Sequence, residues 1–349
     1  MRDAETACAR RGARVTAMAG SRRRVCGRRV SEFLLQLRWS GRFGNRMFQY
    51  AYGATYAKLT GLEYWMPSEW EGTRLFKHQP HRVVENDDIR LALTDSDDSD
   101  ASDAQRLRAV QKYYPDAERL DVEAAPDPYV KTGHPLCHSN GCAYNNAVFP
   151  RMSKRHFKSL FEFSDEVKRL KAYKRYSDMQ GLYDVAHLRR DDIADAEYNR
   201  THVQGYSVVS MESYRQAFRK FGYAEDSIVW VSDDYTGQWH VGRKNRFIGG
   251  WEYPTGSQYL RGIMFDWLDD FLKLYFARAI FRANSSFSWW AATLSPTAKV
   301  FSPVIDKPNI YGVDGMEEIS VDFVEGNHPH WLPQWIRGKV HKREIVLGE

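Results

Sequence analysis

Cysteine is scarce in this chain, with four residues among 349: Cys8, Cys26, Cys137 and Cys142. Four thiols cannot brace a chain of this length, so a disulfide scaffold is excluded. Cys137 and Cys142 are close enough in sequence for a small loop bridge, but two ordinary thiols are the favoured reading. Long apolar runs are also absent. No stretch approaches the ~18 residues of a membrane-spanning helix, and mean hydropathy is −0.60. Val15–Gly20 is too short for a signal-peptide core. There is no P-loop, no Ser or Cys nucleophile elbow, no paired Cys at zinc spacing and no internal repeat. These absences argue against P-loop nucleotide hydrolysis, hydrolase-type acyl transfer and structural zinc. Asp95-Ser96-Asp97 could hold a cation, but it lies in the acidic low-complexity run 94–103, which reads as a solvated loop. Asp233-Asp234 reads first as a loop-ordering or capping pair. No metal and no cofactor are expected.

The residues present are those of a globular chain, 43% hydrophobic and 27% charged. The length fits one large domain or two of about 150 residues. Aromatics reach 14%, including 11 Trp and 20 Tyr, enough ring surface for a large core and for a sugar- or base-stacking cleft. The formal charge of +5 is misleading as a whole-chain value. Residues 1–30 hold nine Arg against Asp3 and Glu5, a net of +7, which leaves the other 319 residues at −2. A nearly neutral body makes nucleic-acid binding the weakest reading. The tail has no apolar periodicity, holds a single Ser and reads as an unstructured extension. Transit-peptide character is the competing reading, and peripheral contact with an acidic membrane surface is open to it. A cytoplasmic or peripheral-membrane location is expected.

Strand, polar loop and helix alternate at least three times. Phe33–Leu37 reads as a buried strand, Ser40–Asn45 as a glycine turn and Met47–Leu59 as a helix. Residues 113–150 read as irregular. Asp184–Leu188 reads as a strand, Ser213–Phe221 as a helix and Ser227–Ser232 as a strand. Tyr259–Arg278 reads as a long helix, Ala279–Ala283 as a strand, Asn284–Ser288 as a loop leading into a helix through Leu294, and Lys299–Ser302 as a last strand. This order predicts a doubly wound α/β chain with parallel sheets and ligands at the carboxyl ends of the strands.

Three segments at predicted strand ends carry chemistry. His187-Leu188-Arg189-Arg190-Asp191-Asp192 places adjacent guanidinium forks where a strand leaves the sheet, suited to paired phosphate oxygens. The competing reading is a surface Arg–Asp cluster, at about even odds in this position. Asn284-Ser285-Ser286-Phe287-Ser288-Trp289-Trp290 offers hydroxyls and backbone N–H groups at a helix start. Taken alone, an N-cap followed by a core Trp pair is the preferred reading of it. Gly41-Arg42-Phe43-Gly44-Asn45 allows close backbone approach before the first helix, but lacks the dinucleotide-fingerprint spacing.

Together and in this order, these segments resemble the α-1,2-fucosyltransferases, glycosyltransferase family 11. The likeness rests on Gly41-Arg42-Phe43-Gly44-Asn45-Arg46-Met47-Phe48-Gln49-Tyr50-Ala51, on His187, Arg189, Arg190 and Asp192, on Val231-Ser232-Asp233-Asp234, on Asp270-Phe271 and on Ala283–Trp290. It covers roughly residues 33–60 and 180–305. The resemblance implies a GT-B-like fold of two Rossmann-type lobes with parallel sheets and a cleft between them. The expected division is a tail at 1–30, an acceptor-side lobe at 31–175, a donor lobe at 176–320 and an extension at 321–349. It further implies inverting, metal-independent transfer of L-fucose from GDP-fucose to a glycan acceptor. In that reading Arg189 grips the β-phosphate, with Arg190 and Asp192 beside it. His187 and Asp270 meet the guanine side, and Ser286, Phe287 and Ser288 wrap the diphosphate. Gly44 and Asn45 approach the donor from the other lobe. Position alone makes Glu197 and Asp195, a few residues past the Arg pair, the candidate bases, beside the reading that a loose oxocarbenium-like transition state needs none. Arg46 stands where the family usually has Gln, and Arg42–Asn45 is closer to the protein O-fucosyltransferases. Transfer of another GDP-sugar, or a non-catalytic sugar-nucleotide or glycan-binding protein, are the alternatives.

Removal of residues 1–30 is expected to leave thermal stability unchanged. A melting temperature lowered by more than about 4 °C, more than roughly 1 kcal/mol at this chain length, would show that the tail packs on the body.

Overall fold

Short strands buried on both faces organise the chain. The computed structural model describes residues 32–39, 41–67, 70–77, 82–84, 93, 103–120, 134–138, 153–189, 208–232, 265, 267–305 and 318–328. All of these belong to one unit, Glu32–Glu349. The first sheet is built from β1 (Phe33–Gln36), β2 (Glu63–Met66), β3 (Arg82–Val83), β4 (Glu118–Arg119) and β5 (Leu136–His138). Its strand order is β3-β2-β1-β5-β4, and every pairing is parallel. The second sheet contains β6 (Asp184–Leu188), β8 (Ile228–Ser232), β9 (Ala279–Phe281), β10 (Lys299–Val304) and β12 (Asp322–Glu325). Its order is β12-β10-β9-β6-β8, parallel except where β12 runs antiparallel to β10. A small parallel pair joins β7 (Val208–Val209) to β11 (Glu318–Ile319).

Successive side chains on a strand face opposite ways, and the cores divide accordingly. In β1, Leu34 joins the largest apolar cluster, whereas Phe33 and Leu35 face a smaller one with Val110 and Cys137. In the second sheet, Val185, Val229, Val231 and Ile280 face that same large cluster. Ala186, Trp230, Phe281 and Phe301 face the opposite layer, where α7 (Met211–Phe221) contributes Tyr214 and Phe218. Both faces of both sheets are thus covered, as parallel sheets require.

The large cluster is filled by α1 (Phe43–Thr60), α8 (Leu268–Tyr275) and α9 (Ser286–Leu294), with α4 (Lys154–Leu160) beside them. α1 is buried almost all round, from Met47 through Ala57, which marks an interior helix rather than an amphipathic surface one. It stops at Gly61, whose φ of 74° places it in the left-handed region that favours glycine, and whose N–H donates to Ala57 O. α2 (Gly72–Leu75), α3 (Asp103–Gln111), α5 (Asp165–Arg169), α6 (Lys171–Asp178) and a 3-10 turn at Glu225–Ser227 are the other described helical elements. Residues 65–180 had given no motif, and most of these short elements lie there.

Four boundaries differ from the sequence expectation. The Gly41–Asn45 turn is largely the first turn of α1, which begins at Phe43 rather than Met47. Ser286–Ser288 is likewise the first turn of α9, after the Ser285 N-cap. Within Tyr259–Arg278 the described helix is only Leu268–Tyr275, and residues 259–264 and 266 lie outside the described residues. Residues 113–150, read as irregular, contain β4 and β5. Cys137 in β5 is a buried free thiol, and Cys142 lies outside the described residues. Among the described residues no helix is long and apolar enough to cross a membrane.

His138 ends β5 opposite Gln36 of β1, fully enclosed between the rings of Tyr52 at 5.2 Å and Tyr64 at 5.9 Å. Neither ring nitrogen has a hydrogen-bond partner among the described residues. Burial pushes its pKa down to about 3. The unfolded chain takes up this proton near pH 6.5 and the folded chain does not until about 3, so stability falls as pH drops through that window. The penalty is roughly 2 kcal/mol at pH 5. His138→Leu is expected to flatten the fall in melting temperature between pH 6.5 and 5, and an unchanged slope would contradict the assignment.

Candidate functional site

The second sheet reverses its winding at one place. From β6 the chain proceeds to β8 on one side, then crosses to β9 and β10 on the other. The carboxyl ends of β6 and β9 therefore flank a topological switch point, where loops diverge and leave a crevice. Arg189 leaves β6 there and Asn284 leaves β9 there. The Arg189 Nη1 donates to Asn284 O at 3.4 Å, joining the two strand exits. His187 is buried one residue inside the end of β6, its ring 5.8 Å from that of Phe287. Its carbonyl accepts from the Tyr214 hydroxyl at 2.7 Å, and the same hydroxyl lies 3.5 Å from Arg282 O. Tyr214 thus fixes the exits of both strands from the far face of the sheet.

α9 opens directly on this crevice. The Ser285 hydroxyl caps it by accepting from Phe287 N at 3.2 Å. Ser288 is fully buried, and its hydroxyl donates to Ala283 O and Ser285 O at 3.4 and 3.3 Å. That hydroxyl holds the loop's own backbone, a different use from the phosphate contact expected of it.

The first turn of α1 meets the first turn of α9 head to head. The Ser286 hydroxyl donates to Asn45 Oδ1 at 2.8 Å. A Cβ on Gly44 would stand 2.6 Å from both Phe287 N and Ser286 Oγ, closer than real contacts allow. Glycine is required here because one backbone lies against another. Gly41, at φ 69°, turns the chain into the helix, and Arg46 braces that turn by donating to Gly41 O at 3.1 Å while paired with Glu71 at 2.9 Å. Arg46 thus has a bracing role at the start of α1. An aromatic wall ties the same segments together: Phe43 stacks on Trp267 at 4.0 Å, and Phe271 meets Phe287 edge-on at 5.3 Å.

Each helix N-terminus carries about half a positive charge in unpaired N–H groups. Two such ends and a guanidinium converge on one crevice, which suits an anion with several oxygens. Asp270 stands in the first turn of α8, paired with Lys273 at 2.9 Å, while Lys273 also reaches Asp269 at 2.8 Å. Burial opposes the Lys273 charge, but Asp270 and Asp269 outweigh it and raise the ammonium pKa. The structure therefore brings Arg189, His187, Asn45, Gly44, Ser286 and Phe287 together. Arg190, Asp192, Asp195, Glu197, Asp233 and Asp234 lie outside the described residues. Among the described residues no cluster of His, Cys, Asp and Glu is arranged to hold a metal ion.

Sequence reasoning missed Arg282. It is fully buried just before Ala283 and donates to Ser302 Oγ, Asn327 Oδ1 and His328 O at 3.0, 2.7 and 2.7 Å. Asn327 in turn donates to Trp289 O and Thr293 Oγ1 of α9 at 3.0 and 2.6 Å. Its only sequence signal is an arginine at the end of an apolar strand.

No protein-family model matches the chain, and no curated protein matches it. Among solved structures it is similar to a NodZ α-1,6-fucosyltransferase soaked with GDP-fucose, at 14% identity and a TM-score of 0.46, over 84% of this chain and 99% of that one. It is also similar to POFUT1 in complex with GDP-fucose, at 13% identity and a TM-score of 0.44, over 78% and 97% of the two chains. Arabidopsis thaliana FUT1 in complex with GDP is similar at 13% identity and a TM-score of 0.40, over 82% and 72%.

Gly44→Ala should lower the melting temperature by the equivalent of about 1–3 kcal/mol, since neither backbone can yield cheaply. In an unobstructed helix the same change stabilises by roughly 0.5–1 kcal/mol. A rise in melting temperature would therefore show that the two helix ends do not touch.

Proposed function

We propose that this chain is a transferase moving L-fucose from GDP-fucose to a glycan hydroxyl with inversion, the α-1,2 linkage to a galactose-type acceptor being the favoured outcome. The observation that carries the reading is the convergence of Arg189, Asn45 and the α9 N-terminus at the switch point of the second sheet. The motif resemblance supports it, because those residues come from three separate segments in the family's order. The residues Arg42–Asn45 favour a second acceptor class, a protein hydroxyl, with the donor chemistry unchanged.

In the proposed reaction the acceptor oxygen attacks the anomeric carbon opposite the diphosphate. The new O–C bond forms, the C–O bond to phosphate breaks, GDP departs with the electron pair, and the acceptor proton passes to a base. Arg189 and the two helix ends stabilise the charge gathering on the leaving diphosphate, which is larger in the transition state than in the ground state. Ser286, released from Asn45, and the Phe287 backbone would line the diphosphate. His187, Arg190, Asp192 and Asp270 are assigned to the donor side, with Glu197 as the base. Two lobes meeting at this cleft, divided near residue 175, and a free tail over 1–30 belong to the same proposal, as does a cytoplasmic or membrane-peripheral setting.

Incubation with GDP-fucose in the absence of acceptor tests it. Slow release of GDP is expected, and saturable binding without any release would instead identify a sugar-nucleotide-binding protein. Arg189→Lys keeps the charge and loses the fork of donors. It should reduce the turnover rate about 30- to 1000-fold, some 2–4 kcal/mol, with a smaller change in donor affinity. Wild-type kcat in this variant would end the phosphate-clamp assignment.

A further inference from the structure

α9 has a second end. Leu294 closes it about 12 Å from Ser286, at ~1.5 Å rise per residue. There a cavity of about 210 Å³ opens among Leu294, Phe161, Phe163, Tyr173 and Tyr275, with Lys158, Glu162 and Lys168 also on its walls. It belongs to no motif and to none of the donor contacts described above.

Its chemistry is mixed in a specific way. Tyr173 and Tyr275 meet the Phe163 ring edge-on at 5.7 and 5.3 Å, so the cavity has aromatic walls. Neither phenol hydroxyl makes a hydrogen bond among the described residues. Burial, with the Glu162 charge adding to it, raises both phenol pKa values, Tyr275 to about 12, so both remain neutral donors. Glu162 is fixed by Lys168 at 2.9 Å and Lys77 at 3.3 Å, and hydrogen bonds from these two lysines hold its pKa below the usual carboxylate value. It is an oriented, ionised acceptor. Among the described residues Lys158 on α4 has no ion-pair partner, and neither do its exposed neighbours Lys154 and Arg155. Lys58 of α1 extends this basic strip, and its charge adds to burial in lowering the His156 pKa.

Ligand classes can be sorted against this set. A purely apolar ligand would leave the carboxylate and two phenols unanswered. A bare phosphate would meet Glu162. A sugar ring offers an apolar C–H face to the aromatic walls and paired hydroxyls to a carboxylate, while an acidic substituent on that ring would answer Lys158. We infer that this cavity binds an acidic sugar unit of a glycan, its ring hydroxyls on Glu162 and the two phenols and its anionic group on Lys158. The basic strip along α4 then receives further acidic units of the same chain. This inference stands whether or not the switch-point crevice handles GDP-fucose.

The test titrates the full chain with methyl β-D-glucuronide, glucose 6-sulfate and neutral methyl β-D-glucoside, read by ligand-observed NMR and calorimetry. At least one acidic sugar should bind saturably in the millimolar range, at least five-fold tighter than the glucoside at low salt, and lose that advantage at high salt. Lys158→Glu, at an exposed position, should abolish the preference without shifting the melting temperature. The double variant Tyr173→Phe, Tyr275→Phe should weaken binding of the acidic sugar. The inference is overturned if neither acidic sugar outbinds the glucoside, if the preference survives Lys158→Glu, or if the double variant binds as wild type. GDP release in the same preparations reads the other site separately.

Discussion

The contact between the first turns of α1 and α9 constrains the rest of this structure. It sets two like dipole ends against each other, an arrangement that opposes itself by a few tenths to about 1 kcal/mol per interaction. What holds it is packing further along the same helices. Phe48 lies 5.0 and 4.7 Å from the rings of Trp289 and Trp290, and Trp290 also meets Phe157 and Phe161 edge-on at 5.0 and 4.8 Å. Each such pair contributes about 0.5–1.5 kcal/mol beyond the area it buries. Packing wins, and an unfilled demand for negative charge stays at the crevice. The Asn45–Ser286 hydrogen bond satisfies two side chains there but supplies no charge.

The sheet contributes what helices alone cannot, a fixed relation between two loops distant in sequence. β6 pairs with β9 through Asp184↔Ala279, Val185↔Ile280 and Ala186↔Phe281. That register sets Arg189 beside Asn284 without any adjustable segment between them. The other end of the pair is locked too, where buried Asp184 takes a two-point grip from Arg278, 2.9 Å from Nε and 2.6 Å from Nη2. Arg282 performs the analogous task at the carboxyl end, reaching through Asn327 into α9. The switch-point geometry thus depends on groups that would never touch a ligand there.

Much of this was legible in the chain itself, and the reasons for success and failure are physical. β6 was read at its full extent because Asp184–Leu188 is a compact apolar run ending in charge. The first turns of α1 and α9 were read as loops because Gly44, Asn45 and Ser286 are poor helix formers. For α9 the Ser285 cap is a local start signal, whereas the close approach of Gly44 to the Ser286–Phe287 backbone is a tertiary constraint that no local pattern carries. The antiparallel β12 was missed because Asp322–Glu325 alternates too briefly to stand out, and its pairing with β10 depends on residues twenty positions away. The residues that meet at the crevice, Arg189, His187 and Ser286, had been singled out by their position beside strand ends. Arg282 was not, because its partners Ser302 and Asn327 become neighbours only in the folded sheet.

α9 also gives the molecule a polarity that the sequence motif does not convey. Its N-terminal end is electropositive and meets Arg189. Its C-terminal end carries the complementary partial negative charge, and Lys158 and Lys168 stand on the cavity there. Nine residues fix the separation of these two environments. One is built from backbone donors and a guanidinium, the other from aromatic faces, a carboxylate pinned by Lys168, and the Lys158 ammonium. The buried Trp289–Trp290 pair between them, at 4.9 Å and nearly perpendicular, leaves little freedom for one end to shift without the other. A ligand group held at the cavity, as proposed, would stand at a set distance from the crevice, which is the geometric requirement for positioning one part of a long molecule while the proposed transfer occurs on another.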